Sequence, residues 1–493
     1  MKLLASLEEA INKHKHENAF CINEIFYSYY DVAKSISQIR NALKSTVATS
    51  EKIIGLIAND DLETYTAILA LWFEGKAYVP LNSDTPRERN ENVITQAGIT
   101  TILDSSENPY LPELKTIQTK KLPESEINLM FEDVPDSELA YMLFTSGTTG
   151  VPKGVPITYS NVIGFFDAFF ALEIQVDASD RCLQMFDLTF DLSVMSYLIP
   201  LLKGACVYTI PKNKIKYNYI AQLMDEHHLT LALMVPSMIH YLRPYFDEID
   251  CPSMKYSLFC GEALPLDVTE EWSNCIPNAK IMNVYGPTED TIFCTHYTFR
   301  RNEINKTSNG LLAIGKAMEG TYTIIIDENN KPVNHGVKGQ LCLGGVQLTP
   351  GYWKNEEKNK EAFFFTEYNQ QTTRFYKTGD LCICDEEGDL LYLGRLDSQT
   401  KIQGFRVELS EIEFHCKAYL QKLNAAAITL QNKNGNTEIG LAIESKEFNT
   451  TEMINYMKTK MPAYMIPTQI IFVDEFPLNS NGKTDRNVLK TKF

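Results

Sequence analysis

Apolar segments with the character of β-strands alternate along most of the chain with segments of helical, amphipathic periodicity. Residues 52–58 predict a buried strand, residues 64–73 a helix, and residues 77–81 a second strand. A strand, a helix and another strand in succession indicate a parallel crossover, because parallel strands need a long connection. The same alternation returns in three further apolar segments, at 230–235, 256–260 and 280–284. This pattern predicts an α/β fold.

The pattern changes after about residue 310, where short strands separated by Gly, Asn and Asp turns predict a β-rich subregion. These predicted strands are 322–326, 339–343 and 389–393. Two predicted helices, at 409–420 and 451–461, then alternate with two predicted strands, at 425–430 and 469–473. We therefore predict a large N-terminal domain at 1–396, with layered α/β subdomains and the β-rich subregion. A small, mobile α+β lobe follows at 397–493.

Composition and charge narrow the class of protein. Of 493 residues, 44% are hydrophobic and 22% are charged, which is typical of a globular protein. The formal net charge of −17 argues against nucleic acid as a partner, because binding to phosphates needs clustered Lys and Arg. The first residues form no signal-peptide core, and no apolar run approaches the ~18 residues of a membrane span. We expect a cytoplasmic protein without a membrane span.

The 11 cysteines have no repeated spacing, which favours reduced thiols over a disulfide framework. Cys382 and Cys384 form a single C-x-C pair, which is a weak metal signal. Alternation along a strand explains their spacing better.

The most informative segment is a loop of hydroxyls and glycines that follows an apolar strand and ends at Lys153. Small residues let backbone N–H groups approach a polyphosphate, hydroxyls donate hydrogen bonds, and lysine supplies charge. The segment predicts a phosphate loop, although a flexible surface turn would share its composition. It is not the P-loop G-x-x-x-x-G-K-[ST], because Gly154 follows the lysine. Residues 481–484 resemble the end of a P-loop, but Pro477 occupies the position of its first glycine.

Six motifs, in this order, resemble those of the adenylate-forming superfamily: 145–154, 283–289, 376–380, 394–397, 401–408 and 479–486. This superfamily includes acyl-CoA synthetases, luciferases and the amino-acid adenylation domains of nonribosomal peptide synthesis. The resemblance covers nearly the whole chain from about residue 50. It implies that Mg-ATP activates a carboxylate as an acyl-adenylate, and that the acyl group then passes to a thiol. Such an enzyme mainly has to hold two anions together.

The resemblance implies ATP and Mg²⁺ as cofactors. The β- and γ-phosphates would contact Thr145, Ser146, Gly147, Thr148, Thr149, Gly150 and Lys153. Glu289 would help to bind Mg²⁺, and Thr288 would contact the α-phosphate. Both belong to the motif that also contains Asn283 and Gly286, which we place in the ATP site.

The adenosine part of ATP would be held by three further residues. By resemblance, Tyr285 would stack on the adenine, Asp380 would accept hydrogen bonds from both ribose hydroxyls, and Arg395 would support ribose and phosphate.

Lys483 would be the principal catalytic residue, with Thr288 and Glu289, and would bridge the substrate carboxylate and the α-phosphate. Asp397 occupies the hinge position between the two lobes, although a plain turn would also suit an Asp there. With a hinge, the small lobe would present Lys483 for adenylation and then the loop at 403–405 for thiol attack.

Amino-acid-activating members of the superfamily carry an Asp that pairs with the α-ammonium of the substrate. Of two nearby acids, Asp187 and Asp191, the second matches the family pattern. An anion in an apolar pocket is unfavourable unless the ligand brings a cation, which favours amino acids over fatty acids.

The remaining pocket positions, taken by resemblance, are Leu192, Met195, Leu233, Leu258, Cys260, Gly261, Val284, Ile292 and Phe293. None is charged and several are bulky, so we expect a small apolar substrate side chain. Leu233 and Leu258 would equally suit a hydrophobic core.

The segments 190–195 and 258–265 look most like ligases that load D-alanine onto a carrier protein, a subgroup that also has a cysteine at the position of Cys260. Two positions differ from that subgroup, because Val284 replaces an expected Thr and Phe293 replaces an expected small residue. Glycine, L-alanine and proline therefore stay open as substrates.

The acceptor would be a separate carrier protein with a phosphopantetheine arm, because the Gly-Gly pair at 344–345 lacks the serine of a carrier domain. Coenzyme A is the alternative acceptor, and a non-catalytic nucleotide-binding relic is a third class. A CoA ligase would have no use for Asp191. A relic would not be expected to retain Lys153, Glu289, Asp380 and Lys483.

The acidity of the chain belongs to the large domain. Residues 398–493 carry 12 Lys and Arg against 10 Asp and Glu, a net charge of +2, which leaves −19 for residues 1–397. We expect an acidic carrier to dock on a basic face of the small lobe.

Overall fold

The fold is described from a computed structural model that covers residues 2–131, 133–147, 151–397, 399–421, 423–477 and 484–493. It contains two large β-sheets, a smaller β-rich region and a C-terminal α+β region. The expected α/β class is confirmed.

The first sheet has six strands, in the spatial order Lys115–Gln118, Thr101–Asp104, Ile53–Ile57, Ala77–Leu81, Leu139–Thr145 and Lys153–Thr158. The predicted crossover is present, because Ile53–Ile57 and Ala77–Leu81 pair in parallel and Leu62–Phe73 is the helix between them. This helix begins after Asp61, whose side chain accepts the N–H of Thr64. All of its residues except Glu63 are buried, which explains why it is apolar on every side.

The second sheet has nine strands, in the order Lys316–Ala317, Thr295–Thr298, Lys280–Tyr285, Tyr256–Phe259, Leu231–Met234, Arg181–Gln184, Cys206–Thr209, Asn18–Ile22 and Ile25–Ser28. The last two strands were not predicted from the sequence. Their turn uses Asn23 and Glu24 at positive φ, without the glycine that commonly marks such a hairpin. One hydrophobic core joins both large sheets, and it includes Ile54 of the first and Leu258 of the second.

The helices of the described residues are Lys2–Lys13, Tyr29–Thr46, Leu62–Phe73, Arg87–Ala97, Tyr159–Phe170, Leu192–Lys203, Lys216–Glu226, Pro236–Leu242, Leu266–Cys275, Glu356–Ala362, Leu409–Leu420, Thr451–Lys460 and Arg486–Lys490. Short 3₁₀ segments occur at Thr119–Lys121, Arg243–Glu248, Thr288–Asp290 and Ala463–Met465.

The predicted β-rich subregion is a five-stranded sheet of Thr321–Ile326, Gly339–Gly345, Gln371–Cys384, Phe363–Tyr368 and Leu390–Arg395, preceded by the small hairpin Thr307–Ser308 and Leu311–Leu312. Cys382 and Cys384 lie on one strand of this sheet, as their alternation predicted. All 11 cysteines are free thiols.

The C-terminal region consists of the hairpin Gln399–Ile402 and Phe405–Glu408, and of a three-stranded sheet, Ala425–Gln431, Thr437–Glu444 and Gln469–Val473. Two helices, Leu409–Leu420 and Thr451–Lys460, pack in its core, so the predicted α+β character is present.

The part of the chain that the structure describes lacks a membrane-spanning helix and a cluster of metal-binding side chains. There, no helix combines the length and the apolar character needed to cross a membrane. Nor do three or more His, Cys, Asp or Glu side chains come together in a group able to hold a metal ion.

Candidate active site

The predicted phosphate loop joins two antiparallel strands of the six-stranded sheet, with Thr145 paired to Lys153 in their register. Ser146 is buried, and its hydroxyl donates to the carbonyl oxygen of Arg406 at 2.8 Å. Gly147 has to be glycine, because a Cβ there would overlap a backbone carbonyl oxygen. The rest of the predicted loop, Thr148, Thr149 and Gly150, lies outside the described residues.

Glu289 is fully buried beside this loop and accepts three hydrogen bonds. Nη1 of Arg406 donates to its two carboxylate oxygens at 2.8 and 3.0 Å, and the Tyr352 hydroxyl donates at 2.7 Å. Nζ of Lys153 lies 5.0 Å from the centre of the Tyr352 ring. Burial opposes ionisation, but the charges of Arg406 and Lys153 lower the pKa of Glu289 to about 2. Glu289 is therefore a charged carboxylate at neutral pH.

The motif around Glu289 is a tight turn after the strand Lys280–Tyr285. Thr288 begins the 3₁₀ segment Thr288–Asp290. Gly286 leaves no room for a side chain, because a Cβ would overlap the Cα of Phe293. The amide of Asn283 donates to the carbonyl oxygen of Ala313 at 2.9 Å and is buried.

A cavity of about 470 Å³ is lined by residues of the nine-stranded sheet, the β-rich sheet and the C-terminal region, and its volume is typical of small-molecule sites. Four predicted ATP-binding residues line it: Asn283, Tyr285, Asp380 and Arg395. The other polar lining residues had no role assigned from the sequence, and they include Ser237, His240, Glu262, Lys401, Gln431 and Asn436.

Asp380 and Arg395 lie opposite each other on neighbouring strands, and Nη1 of Arg395 donates to Asp380 at 2.8 Å. The hydroxyl of Tyr285 donates to the other carboxylate oxygen of Asp380. Arg395 also binds Asp397 at 2.6 and 2.7 Å. Asp397, the predicted hinge residue, accepts the N–H of Gln399 at 3.1 Å, which is the pattern of an Asx turn.

Asp191 lies at the start of the helix Leu192–Lys203, but its side chain does not cap that helix. It is buried, and Oδ2 accepts the backbone N–H of Ile292 at 3.0 Å. Burial raises the pKa of Asp191 to about 7. No Lys, Arg or His side chain of the described residues forms a salt bridge with it. Asp187, by contrast, accepts hydrogen bonds from Asn82 and Thr189.

The predicted apolar pocket residues are all buried members of the main hydrophobic core, which also includes Ile54 and Trp72: Leu192, Met195, Leu233, Leu258, Cys260, Val284, Ile292 and Phe293. Phe293 packs edge-to-face on Phe165, with ring centres 4.9 Å apart. Burial raises the pKa of the Cys260 thiol to about 12, so this thiol is uncharged at neutral pH. Gly261 has a φ of +92° and lies at the cavity wall.

The loop between the strands Gln399–Ile402 and Phe405–Glu408 contacts both the C-terminal region and residues that precede it in the chain. The N–H of Gly404 donates to Glu262 at 2.9 Å. The ring of Phe405 stacks on Tyr464 at 3.8 Å and meets Phe190 edge-to-face at 4.5 Å. The loop predicted to act in thiol attack therefore contacts Glu262 and Phe190, which precede the C-terminal region in the chain.

Three residues with strong contacts in this site, Arg406, Tyr352 and Glu262, were not assigned a role from the sequence. Arg406 lies in the motif at 401–408, so its charge was a usable signal. Lys483, the predicted principal catalytic residue, lies outside the described residues.

The sequence model of the AMP-binding enzyme family matches residues 7–353. Among curated proteins, tyrocidine synthase 1 of Brevibacillus parabrevis is 29% identical over 94% of this chain, which spans 42% of that protein. Bacitracin synthase 2 of Bacillus licheniformis is 28% identical over 98% of this chain, which spans 19% of that protein. The D-alanine--D-alanyl carrier protein ligase of Lacticaseibacillus casei is 28% identical, over 99% of this chain and 98% of the ligase.

A similar solved structure is the Vibrio cholerae adenylation domain AlmE in complex with glycyl-adenosine-5'-phosphate. Its TM-score is 0.87 at 25% identity, over 99% of this chain and 97% of that chain.

Proposed function

Because this chain belongs to the AMP-binding enzyme family, we propose that it is an AMP-forming ligase that activates a small apolar amino acid, D-alanine in our preferred assignment. The amino acid and ATP would form an aminoacyl-adenylate and pyrophosphate. The acyl group would then pass to the phosphopantetheine thiol of a separate carrier protein.

The observation that carries this proposal is Asp191, a buried carboxylate with one backbone donor and no salt-bridge partner among the described residues. Such a group is unfavourable in its charged form unless the ligand supplies a cation. The ammonium of an amino acid is a cation of the right size, and it enters together with the carboxylate that reacts.

Three further observations support a substrate amino acid with a small apolar side chain. The predicted pocket residues belong to the apolar core, and Phe293 among them is a large ring that packs on Phe165. The D-alanine--D-alanyl carrier protein ligase matches this chain over nearly the whole length of both. Glycine is the second candidate, because AlmE is similar over the whole chain and its solved structure holds a glycyl adenylate.

In the first step, a carboxylate oxygen of the amino acid would attack the α-phosphorus of ATP, and the bond to pyrophosphate would break. Ser146 and Lys153 would hold the phosphates, and Lys483 would stabilise the charge at the α-phosphate. Asp380 and Tyr285 would orient the nucleoside in the cavity.

Glu289 fits the role of the Mg²⁺ ligand, because a single buried carboxylate beside a phosphate loop suits a cation that keeps phosphate and water ligands. Mg²⁺ would neutralise phosphate charge as pyrophosphate leaves. In the present arrangement, Arg406 occupies the carboxylate of Glu289, so Arg406 would have to withdraw for the first step.

In the second step, the thiol sulfur of the carrier would replace AMP at the acyl carbon, releasing AMP and a proton. The insertion of Gly404 and Phe405 against the large domain supports an arrangement suited to this step. Rotation about Asp397 would exchange this loop for the segment that carries Lys483.

The test is ATP–pyrophosphate exchange with D-alanine, L-alanine, glycine, proline and propionate, which is alanine without its amine. We expect D-alanine to give the fastest exchange and propionate to give none. Asp191→Ala should abolish exchange with every amino acid, while ATP binding persists. Exchange with propionate as fast as with alanine, or unchanged exchange by Asp191→Ala, would contradict the proposal.

A further inference from the structure

Gln347 is a fully buried side chain that clamps the turn between Glu289 and the substrate pocket. Its Nε2 donates to the carbonyl oxygens of Asp290, Thr291 and Phe293, at 3.2, 3.1 and 3.0 Å. In return, the hydroxyl of Thr291 donates to the carbonyl oxygen of Gln347 at 2.5 Å. One side chain thus holds three carbonyl groups of a neighbouring segment.

The clamped turn has an unfavourable backbone conformation. Thr291 and Ile292 have φ values of +48° and +74°. Both residues are β-branched, and β-branched residues rarely adopt positive φ. Such a conformation persists only where the surroundings hold it in place, and here the surrounding donors belong to Gln347.

The strained turn has a direct contact with the substrate site, because the N–H of Ile292 donates to Asp191 at 3.0 Å. Ile292 donates this N–H while it adopts its positive φ of +74°. Glu289, at the other end of the turn, has separate support from Arg406 and Tyr352. The hydrogen bonds from Gln347 therefore affect the residues near Asp191, the proposed ammonium partner, more than they affect Glu289 near the phosphate loop.

We propose that Gln347 is a positioning residue for amino-acid recognition, which acts by holding Thr291 and Ile292 in the strained turn that supplies the N–H donor to Asp191. This inference rests on the proposed function for the role of Asp191. The link from Gln347 to the turn can be measured without that function.

The first experiment compares Gln347→Met, which keeps side-chain length but lacks the donors, with Thr321→Val. The Thr321 hydroxyl donates to Oε1 of Gln347 at 3.3 Å and forms no hydrogen bond with the turn among the described residues, so its loss is a matched control. In D-alanine-dependent pyrophosphate exchange, Gln347→Met should raise the KM for D-alanine about tenfold or more and change the KM for ATP by less than about threefold. Thr321→Val should change both by less than about twofold.

A rescue separates positioning from a general loss of packing. Glycine adopts positive φ without strain, so adding Thr291→Gly to Gln347→Met should restore most of the lost D-alanine affinity. An unchanged KM for D-alanine in Gln347→Met, an equal rise for ATP and D-alanine, or a double variant no better than Gln347→Met would overturn the proposal.

The second experiment measures amide hydrogen exchange of residues 288–294, with no substrate present. Exchange there should become about tenfold faster in Gln347→Met and stay unchanged in Thr321→Val. Unchanged hydrogen exchange of residues 288–294 in Gln347→Met would overturn the proposed clamp, even if the enzyme activates amino acids. Wild-type protein that exchanges pyrophosphate with no amino acid would instead contradict the proposed function. If Gln347→Met does not fold, Thr291→Val removes the reciprocal hydrogen bond, and the same measurements apply to it.

Discussion

Arg406 donates to both carboxylate oxygens of Glu289, at 2.8 and 3.0 Å, although the two residues lie 117 positions apart in the chain. Glu289 belongs to the predicted large domain and Arg406 to the predicted small lobe. Their pairing places a protein cation on the carboxylate that we propose as the Mg²⁺ ligand. The two cations cannot share that carboxylate freely, so the position of the hairpin at 399–408 should affect how easily Mg²⁺ binds.

Arg406→Gln should therefore lower the Mg²⁺ concentration that gives half-maximal pyrophosphate exchange, by about threefold or more, because a competing cation is removed. The same change should slow thioester formation on a carrier, because the hairpin at 399–408 loses its contact with Glu289. A Mg²⁺ titration and a single-turnover transfer assay measure the two effects. Arg300→Gln is the control, since the Arg300 side chain is 58% exposed. A Mg²⁺ requirement equal to that of the wild type would contradict the competition.

The sequence was sufficient to predict those parts of the fold and site that depend on local patterns. The strand at 77–81, its parallel partner and the helix between them follow from hydrophobic periodicity. Asn283, Tyr285, Asp380 and Arg395, four residues of the predicted ATP site, line one cavity.

Contacts that depend on how distant segments meet were not predictable in the same way. The pairing of Arg406 with Glu289 depends on how the C-terminal hairpin packs, which no local pattern encodes. The clamp by Gln347 depends on a turn with positive φ at two β-branched residues, where local preference favours another conformation. Tertiary packing outweighs that preference, so the signal is absent from the segment itself.

The titration of Asp191 predicts how the KM for D-alanine changes with pH. Burial raises its pKa to about 7, so it is protonated below that pH and ionised above it. Binding of an ammonium requires the ionised form. The KM for D-alanine should therefore rise about tenfold for each pH unit below 7 and level off above it.

Several neighbouring groups contribute to the field at Asp191: Glu289, Lys401, Cys260, Tyr78 and Tyr141. The control is therefore Asp191→Asn, which leaves these groups in place. Its weaker activity should show a flat KM profile between pH 5.5 and 8, in buffers of about equal ionic strength. A sloping profile in Asp191→Asn would assign the titration to another group.

Lys483→Ala should reduce the rate of pyrophosphate exchange by about 10²- to 10³-fold, because a charge that stabilises the α-phosphate in the transition state is lost. ATP binding, measured by calorimetry, should weaken far less. Lys490→Ala is the matched control, because this exposed lysine lies in the same C-terminal segment. A normal adenylation rate in Lys483→Ala, or an equal loss in Lys490→Ala, would remove the proposed catalytic role.

The charge distribution predicts where an acidic carrier protein docks. The helices Leu409–Leu420 and Thr451–Lys460 lie side by side, with the rings of Tyr419 and Tyr456 5.5 Å apart. Each carries an exposed lysine, Lys417 and Lys458. Exposed Phe414 is one helical turn before Lys417, so the first of these helices presents an apolar side chain beside a positive charge.

The double variant Lys417→Glu/Lys458→Glu should weaken carrier binding about tenfold at low salt. The effect should be smaller at about 0.5 M salt, because dissolved ions screen the interaction between surface charges. Aminoacyl-adenylate formation should not change, since neither lysine lies at the cavity. Lys13→Glu/Lys338→Glu, which reverses two exposed charges outside the C-terminal region, changes the net charge by the same amount and controls for it. The measurement is the carrier concentration dependence of thioester formation. A carrier affinity that is the same in the double variant as in the wild type would exclude this face, because electrostatic complementarity requires the reversed charges to repel an acidic partner.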